Sequence, residues 1–297
     1  MSQDTTNFDL VFVTNVEHLH TLSLGLESLL RLYAFKAVHI VTSRKYFKFF
    51  AHLQTICGPT PLHLLDEDTV LPGMALANLR EKNLPCFPKR AGWYFQQFLK
   101  LGMSKLESIS DNYVVVDADT IFLKKLPFSD SEGKYVFTIS DEFHQPYFEN
   151  YALLMNEKAN REFSFISQYM VFNKAIVNSI VTKIEMNFNY SKDWYWLIIE
   201  NIEGDGASLF SEYETYGHYV KSHYPERSSY LKAPWLRLES NSFLSYFPTR
   251  RAIASLPEEY YYVSYEQRAN TISGKITKRL CKTVIPYLLR LRHQILG

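Results

Sequence analysis

Asn112-Tyr113-Val114-Val115-Val116-Asp117 is the segment that most narrows what this chain can fold into. Its consecutive apolar residues, bounded by Asn112 and an acidic pair, read as a strand covered on both faces, and such a strand needs helices on either side of its sheet. The first half of the chain repeats the pattern. Leu10–Thr14, Val38–Thr42 and Leu62–Leu65 are short apolar runs. Between them, Leu22–Tyr33 places Leu22, Leu26, Leu29, Leu30 and Tyr33 on one helical face, and a helix is expected through Tyr46–Leu53. From Asp66 to Lys89 the prolines Pro72, Pro85 and Pro88 exclude one continuous helix, so that stretch is expected to be irregular. Further on, Tyr135–Ser140 and Phe165–Asn173 read as strands and Lys174–Met186 as a helix. Apolar runs alternating with amphipathic segments predict an α/β fold with a mostly parallel sheet flanked by helices. There is no internal repeat and no low-complexity linker, so one domain over 1–270 is expected, followed by a segment of different character over 271–297.

Composition limits the partners. A length of 297 residues, 46% hydrophobic, is ample for one large domain, and a net charge of +1 argues against a general nucleic-acid binder. Cys57, Cys86 and Cys281 are odd in number and widely spaced, which speaks against a zinc site or a redox pair and for a reducing compartment. Met1–Asn7 is polar and lacks the apolar core of a signal peptide, and no stretch approaches the ~20 apolar residues that span a bilayer. A cytoplasmic protein is expected.

Asp117 and Asp119 stand where ligands gather in open α/β sheets, at the carboxyl end of a strand. They are hard oxygen donors suited to Mg²⁺ or Mn²⁺, ions that complete their shells with water and substrate phosphates. Asp is also common in turns, and a simple turn before Thr120 is the other reading of the pair. Asp117-Ala118-Asp119 resembles the Asp-x-Asp motif of the metal-dependent GT-A glycosyltransferases. Phe8–Thr14, Arg90–Leu101 and Phe210–Gly217 carry the same likeness, to a largely uncharacterised bacterial family of surface-polysaccharide type, over about Phe8 to Pro248. The resemblance implies a GT-A-like fold and transfer of a sugar from a nucleotide-sugar donor to a saccharide or lipid-linked saccharide. It further implies a Mn²⁺ or Mg²⁺ ion on Asp117 and Asp119, and a place for the donor's base and ribose near Thr14.

The remaining candidates come from spacing read beside that likeness. Trp93, Gln97 and Lys100 lie three and four residues apart on one helical face, and Arg90 sits at the expected helix start, where backbone N–H groups favour anions. Arg90, Gln97 and Lys100 are therefore candidates for the donor, against the alternative of an ordinary solvated face. Ser211 is placed to cap a helix whose first turn holds Glu212 and Glu214. Glu212 is the candidate general base of an inverting reaction, with Asp141, beside Glu142, as its rival; alternatively the two glutamates merely complement the helix N-terminus, an effect of about 0.3–1 kcal/mol. Gln168 is a further candidate to face the sugar. His218 and His223 are candidates for a third metal ligand, which the resemblance implies lies downstream of the acidic pair, or else are ordinary hydrogen-bonded histidines.

Ile272–Leu296 carries Lys275, Lys278, Arg279, Lys282, Arg290 and Arg292 with no acidic residue, and its apolar side chains fall close to one stripe. This amphipathic basic pattern suits the anionic inner face of the cytoplasmic membrane, and equally a helix packed back on the domain. Two other functions share the composition: a sugar nucleotidyltransferase, disfavoured by the lack of a glycine-rich phosphate loop after the first strand, and a non-catalytic glycan-binding protein on the same fold.

Overall fold

A computed structural model describes residues 7–81, 87–188, 191–204, 206–240, 247–267, 275–276, 279–280, 283–284 and 287. The chain is a mixed α/β protein whose central sheet is mostly parallel and flanked by helices. It forms two compact units. One is built from the described residues of 7–66, 116–126 and 233–287, the other from those of 67–115 and 127–232.

In the first unit, strand Phe8–Val13 pairs in parallel with Ala37–Thr42, Asp9 opposite Ala37 and Val13 opposite Val41, and the latter pairs in parallel with Leu62–Asp66. Every residue of the first two strands is buried, including the polar Asp9 and His39, whose side chains face each other across the pair at 3.5 Å. Helix Leu19–Leu32 turns Leu22, Leu26 and Leu29 inward, the stripe that the leucine spacing predicts. A second sheet sets Thr120–Phe122 antiparallel to Tyr262–Gln267, which runs parallel to Trp235–Ser240. Here Tyr262 stacks on Phe122 and on Trp235, with ring centroids 5.6 and 5.4 Å away.

Gly25 fixes how helix and strand approach in this unit, because a Cβ built on it would lie 2.4 Å from the carbonyl oxygen of Thr120. An alanine at an open helix position would gain up to about 1 kcal/mol over glycine. Here the overlap is with backbone, and forced overpacking typically costs about 1–3 kcal/mol. Gly25→Ala is therefore expected to destabilise despite its better propensity, by about 1–2 kcal/mol net in urea unfolding; a gain in stability would contradict this packing.

The second unit contains strands Asn112–Val116 (up to Val115) and Tyr169–Asn173, and a two-stranded parallel ladder of Tyr135–Thr138 with Ser228–Leu231. Its long helices are Phe87–Gly102, Gln145–Met155, Lys174–Phe188 and Glu212–His223. Much of the aromatic content is core here. Tyr216 meets Phe137 and Phe172 edge-on, and its buried hydroxyl, pushed well up by burial, accepts from the backbone N–H of Asn173 at 2.9 Å.

Three expectations need correction. The stretch expected as one helix over Tyr46–Leu53 is instead a 3₁₀ turn Arg44–Tyr46, a single α turn Phe47–Phe50 and another 3₁₀ turn Ala51–Leu53. Crowded aromatics lose rotamer freedom in a helix, and this path buries Phe49, Phe50 and Leu53. The strand expected over Phe165–Asn173 begins only at Tyr169. Ser167 explains the delay: its hydroxyl donates to the Tyr169 carbonyl at 2.8 Å and accepts from the Tyr169 N–H at 3.2 Å, closing a local turn in place of a ladder. The stretch before Arg90 is not wholly irregular, since Glu67–Val70 and Leu76–Glu81 are helical and the long helix begins at Phe87, with Pro88 in its first turn.

Candidate functional site

The aspartate pair belongs to the first unit. Residues 113–116 are fully buried, and the chain then turns, the Thr120 N–H donating to the Asp117 carbonyl at 3.0 Å. The Asp119 carbonyl accepts from the Tyr265 N–H at 2.9 Å, which ties the turn to the second sheet. Ala118 is buried while Asp117 and Asp119 are half-buried. The donor set fits a hard divalent cation that takes carboxylate oxygens here and its other ligands from water and phosphate. Among the described residues no group of three or more His, Cys, Asp and Glu is gathered to hold a metal. Thr14, in the same unit, is buried; its N–H donates to the Val41 carbonyl at 3.0 Å and its hydroxyl to the Asn15 carbonyl at 3.2 Å. The Asn15 side chain accepts from Glu17 N–H at 2.8 Å and caps the turn that leads to the first helix.

The second unit gathers most of the other candidates. Gln97 and Lys100 sit one turn apart on helix 87–102, and Ser211 caps helix 212–223 by accepting from the Glu214 N–H at 3.2 Å. The fold brings these two helices together through a buried ion pair, Lys100 Nζ to Glu212 Oε1 at 2.6 Å, with Lys100 3% and Glu212 4% exposed. The same ammonium donates to the Tyr213 hydroxyl at 3.1 Å and lies 4.3 Å from the centre of its ring. Gln97 accepts the Glu212 N–H at 3.1 Å through Oε1, while its Nε2, in a side chain 2% exposed, has no hydrogen-bond partner among the described residues.

Arg90 lies on the same helix. Its guanidinium donates to Ser208 Oγ at 2.8 Å and covers the Trp93 ring at 4.3 Å. His144 Nε2 meets the Ser208 carbonyl at 2.7 Å, and the His144 ring packs edge-on against Tyr147. Burial and then the negative charge of Glu212 push the Tyr147 hydroxyl up to about 12, with Arg90 pulling the other way. Spacing in the sequence does not pair Ser208 with Arg90, Tyr213 with Lys100 or His144 with Ser208, because these residues meet only through the fold.

Glu214 bonds the Ser164 hydroxyl, accepts the Phe165 N–H at 3.0 Å and lies 3.0 Å from His218 Nε2. The His218 ring is buried among Phe148, Tyr151 and Phe165. His223 meets both oxygens of Glu157 at 2.9 Å. Asp141 is exposed and ion-paired with Lys232. Gln168 is buried. In this unit the structure thus joins Gln97, Lys100 and Glu212 directly, sets Arg90 on Ser208, and gives His218 and His223 each a glutamate neighbour. Among the described residues no helix is long and apolar enough to cross a membrane.

A family of unknown function (DUF6492) matches residues 10–267. No curated protein matches the chain. Several solved structures are similar to it. Mouse xyloside xylosyltransferase 1 in its apo form shows 13% identity over 86% of this chain and 97% of that one, with a TM-score of 0.45. A galactosyltransferase LgtC in complex with donor and acceptor sugar analogues shows 11% identity over 92% of this chain and 95% of its own, with a TM-score of 0.49. The apo bifunctional glycosyltransferase WbbM shows 12% identity over 97% of this chain but only 52% of its own, with a TM-score of 0.48.

Proposed function

This chain belongs to the family of unknown function DUF6492, and we propose that it is a metal-assisted glycosyltransferase that moves a sugar from a nucleotide-sugar donor to a saccharide or lipid-linked saccharide. The observation that carries the reading is the Asp117-Ala118-Asp119 turn, which buries its alanine and leaves two carboxylates half-buried directly after a fully buried strand. Mn²⁺ or Mg²⁺ held there would supply positive charge to the departing nucleoside diphosphate. In the reaction, the bond from the anomeric carbon to the diphosphate oxygen breaks and the acceptor hydroxyl oxygen bonds to that carbon. The hydroxyl proton is assigned to Glu212, with Asp141 the rival carboxylate. Arg90 and Lys100 are assigned to the donor's negative charge, and the unpartnered Gln97 Nε2 is a ready donor to a substrate oxygen. Thr14 is assigned to the nucleoside, whereas His218, enclosed by Phe148, Tyr151 and Phe165 beside Glu214, is gathered in no group of three metal-binding side chains among the described residues and is given no metal role. The likeness of the four sequence segments extends the reading to surface-polysaccharide assembly in bacteria.

Incubation of the purified chain with a panel of nucleotide sugars tests the reading. Release of free nucleoside diphosphate from one of them, dependent on Mn²⁺ or Mg²⁺ and stopped by chelation, is expected. No release from any donor, with or without added saccharide, would overturn it.

A further inference from the structure

Two segments far apart in sequence meet on one face of the first unit. At positions 275, 276, 279, 280, 283 and 287 the chain is helical, the Val284 N–H donates to the Leu280 carbonyl at 2.9 Å, and every described residue of this stretch is exposed. Ile276, Leu280, Val284 and Tyr287 are spaced four, four and three apart, so they share one stripe. They are 57%, 41%, 43% and 50% exposed, a run of large apolar side chains left in water. Tyr287 packs edge-on against the buried Phe49, ring centroids 4.8 Å apart, and Lys48 Nζ stands 5.4 Å from the Tyr287 ring and 5.0 Å from that of Phe49. The exposed Arg44 and Lys45 are close in sequence to Lys48, and Lys275 and Arg279 flank the stripe. Among the described residues none of these five cations pairs with a carboxylate.

We propose that this face, Arg44, Lys45 and Lys48 together with the stripe of Ile276, Leu280, Val284 and Tyr287, docks on an anionic membrane surface. An apolar stripe bordered by cations and lacking acidic partners matches an interface of acyl chains under negative headgroups. A protein partner of ordinary composition would bring acidic and basic groups alike, and a second copy of this chain would set cation against cation. Docking names a setting for the glycosyltransferase reading, since a lipid-linked acceptor lies in a membrane, yet the test needs no turnover and can fail independently of it.

Vesicle co-sedimentation of the full chain tests the proposal, using phosphatidylcholine alone and phosphatidylcholine mixed with phosphatidylglycerol. Binding is expected to the mixed vesicles only and to weaken in high salt. Each basic residue near the surface contributes about fivefold to partitioning, so Lys45→Gln with Lys48→Gln should lower it about 25-fold. Leu280→Ser with Val284→Ser should also release the protein. All four side chains are exposed, and unchanged circular dichroism would verify that the variants fold. Equal recovery on neutral and anionic vesicles, no recovery on either, or binding that both double variants retain would overturn the proposal. So would a lipid-independent dimer of the wild type that Leu280→Ser/Val284→Ser dissociates, because the face would then belong to a second copy.

Discussion

Replacing Glu212 with alanine is expected to cost about 3–5 kcal/mol of folding stability, a large fraction of what an ordinary domain possesses. Lys100 and Glu212 are 3% and 4% exposed and 2.6 Å apart. Removing the carboxylate leaves an ammonium inside the unit with the Tyr213 hydroxyl as a neutral partner. The same argument applies in reverse to Lys100→Met, which strands the carboxylate. Replacing both together, as Lys100→Met with Glu212→Leu, removes the uncompensated charge and should recover most of the loss, since buried pairs exchanged for apolar residues of similar volume are often neutral. Urea unfolding of the four proteins forms a double-mutant cycle. A loss under about 1 kcal/mol for Glu212→Ala would mean that water reaches the pair, since exposed pairs are worth no more than that.

Asp119→Ala is expected to act the other way round, sparing the fold and abolishing metal-dependent turnover. Asp119 is half-buried and its backbone carbonyl, which accepts from Tyr265, survives the substitution. Its carboxylate accepts from the Thr120 hydroxyl at 3.5 Å, a long and weak hydrogen bond. Metal stabilisation of a developing charge is worth several kcal/mol, so nucleoside diphosphate release should fall by about 10²–10³ while stability changes by under about 1 kcal/mol. Asp117→Asn should fall by a similar factor. Retention of wild-type turnover in both variants would remove the aspartates from the chemistry.

Some of this architecture is legible before any coordinates, and the reason is local. Strands 8–13, 37–42 and 112–116 announce themselves because a strand covered on both faces is apolar at most positions in succession, and helix 19–32 because its leucines recur at helical spacing. The Ser211 cap is legible for the same reason, its hydroxyl answering an N–H three residues on. What escapes the sequence is partnership at a distance. Gln97 and Lys100 can be placed on one helical face, but nothing near them reveals that Glu212 and Tyr213 complete the group. The Ser167 turn defeats period reading differently, since a hydroxyl hydrogen bond two residues long leaves the apolar pattern unchanged while delaying the strand to Tyr169. The second sheet is hidden too, because Thr120–Phe122 finds its partner at Tyr262–Gln267.

Binding of nucleoside diphosphates by the purified chain, followed as a thermal shift with and without Mn²⁺ in wild type and in Asp119→Ala, tests metal-dependent donor binding most directly. A ligand that binds only the folded state at a hundredfold excess over its Kd adds about 2.7 kcal/mol of stability. A shift with one nucleoside diphosphate that requires Mn²⁺ and disappears in Asp119→Ala is the result expected of a glycosyltransferase whose Asp117 and Asp119 hold the cation. A shift that persists without metal or survives Asp119→Ala, or none with any nucleotide, would contradict that role for the pair.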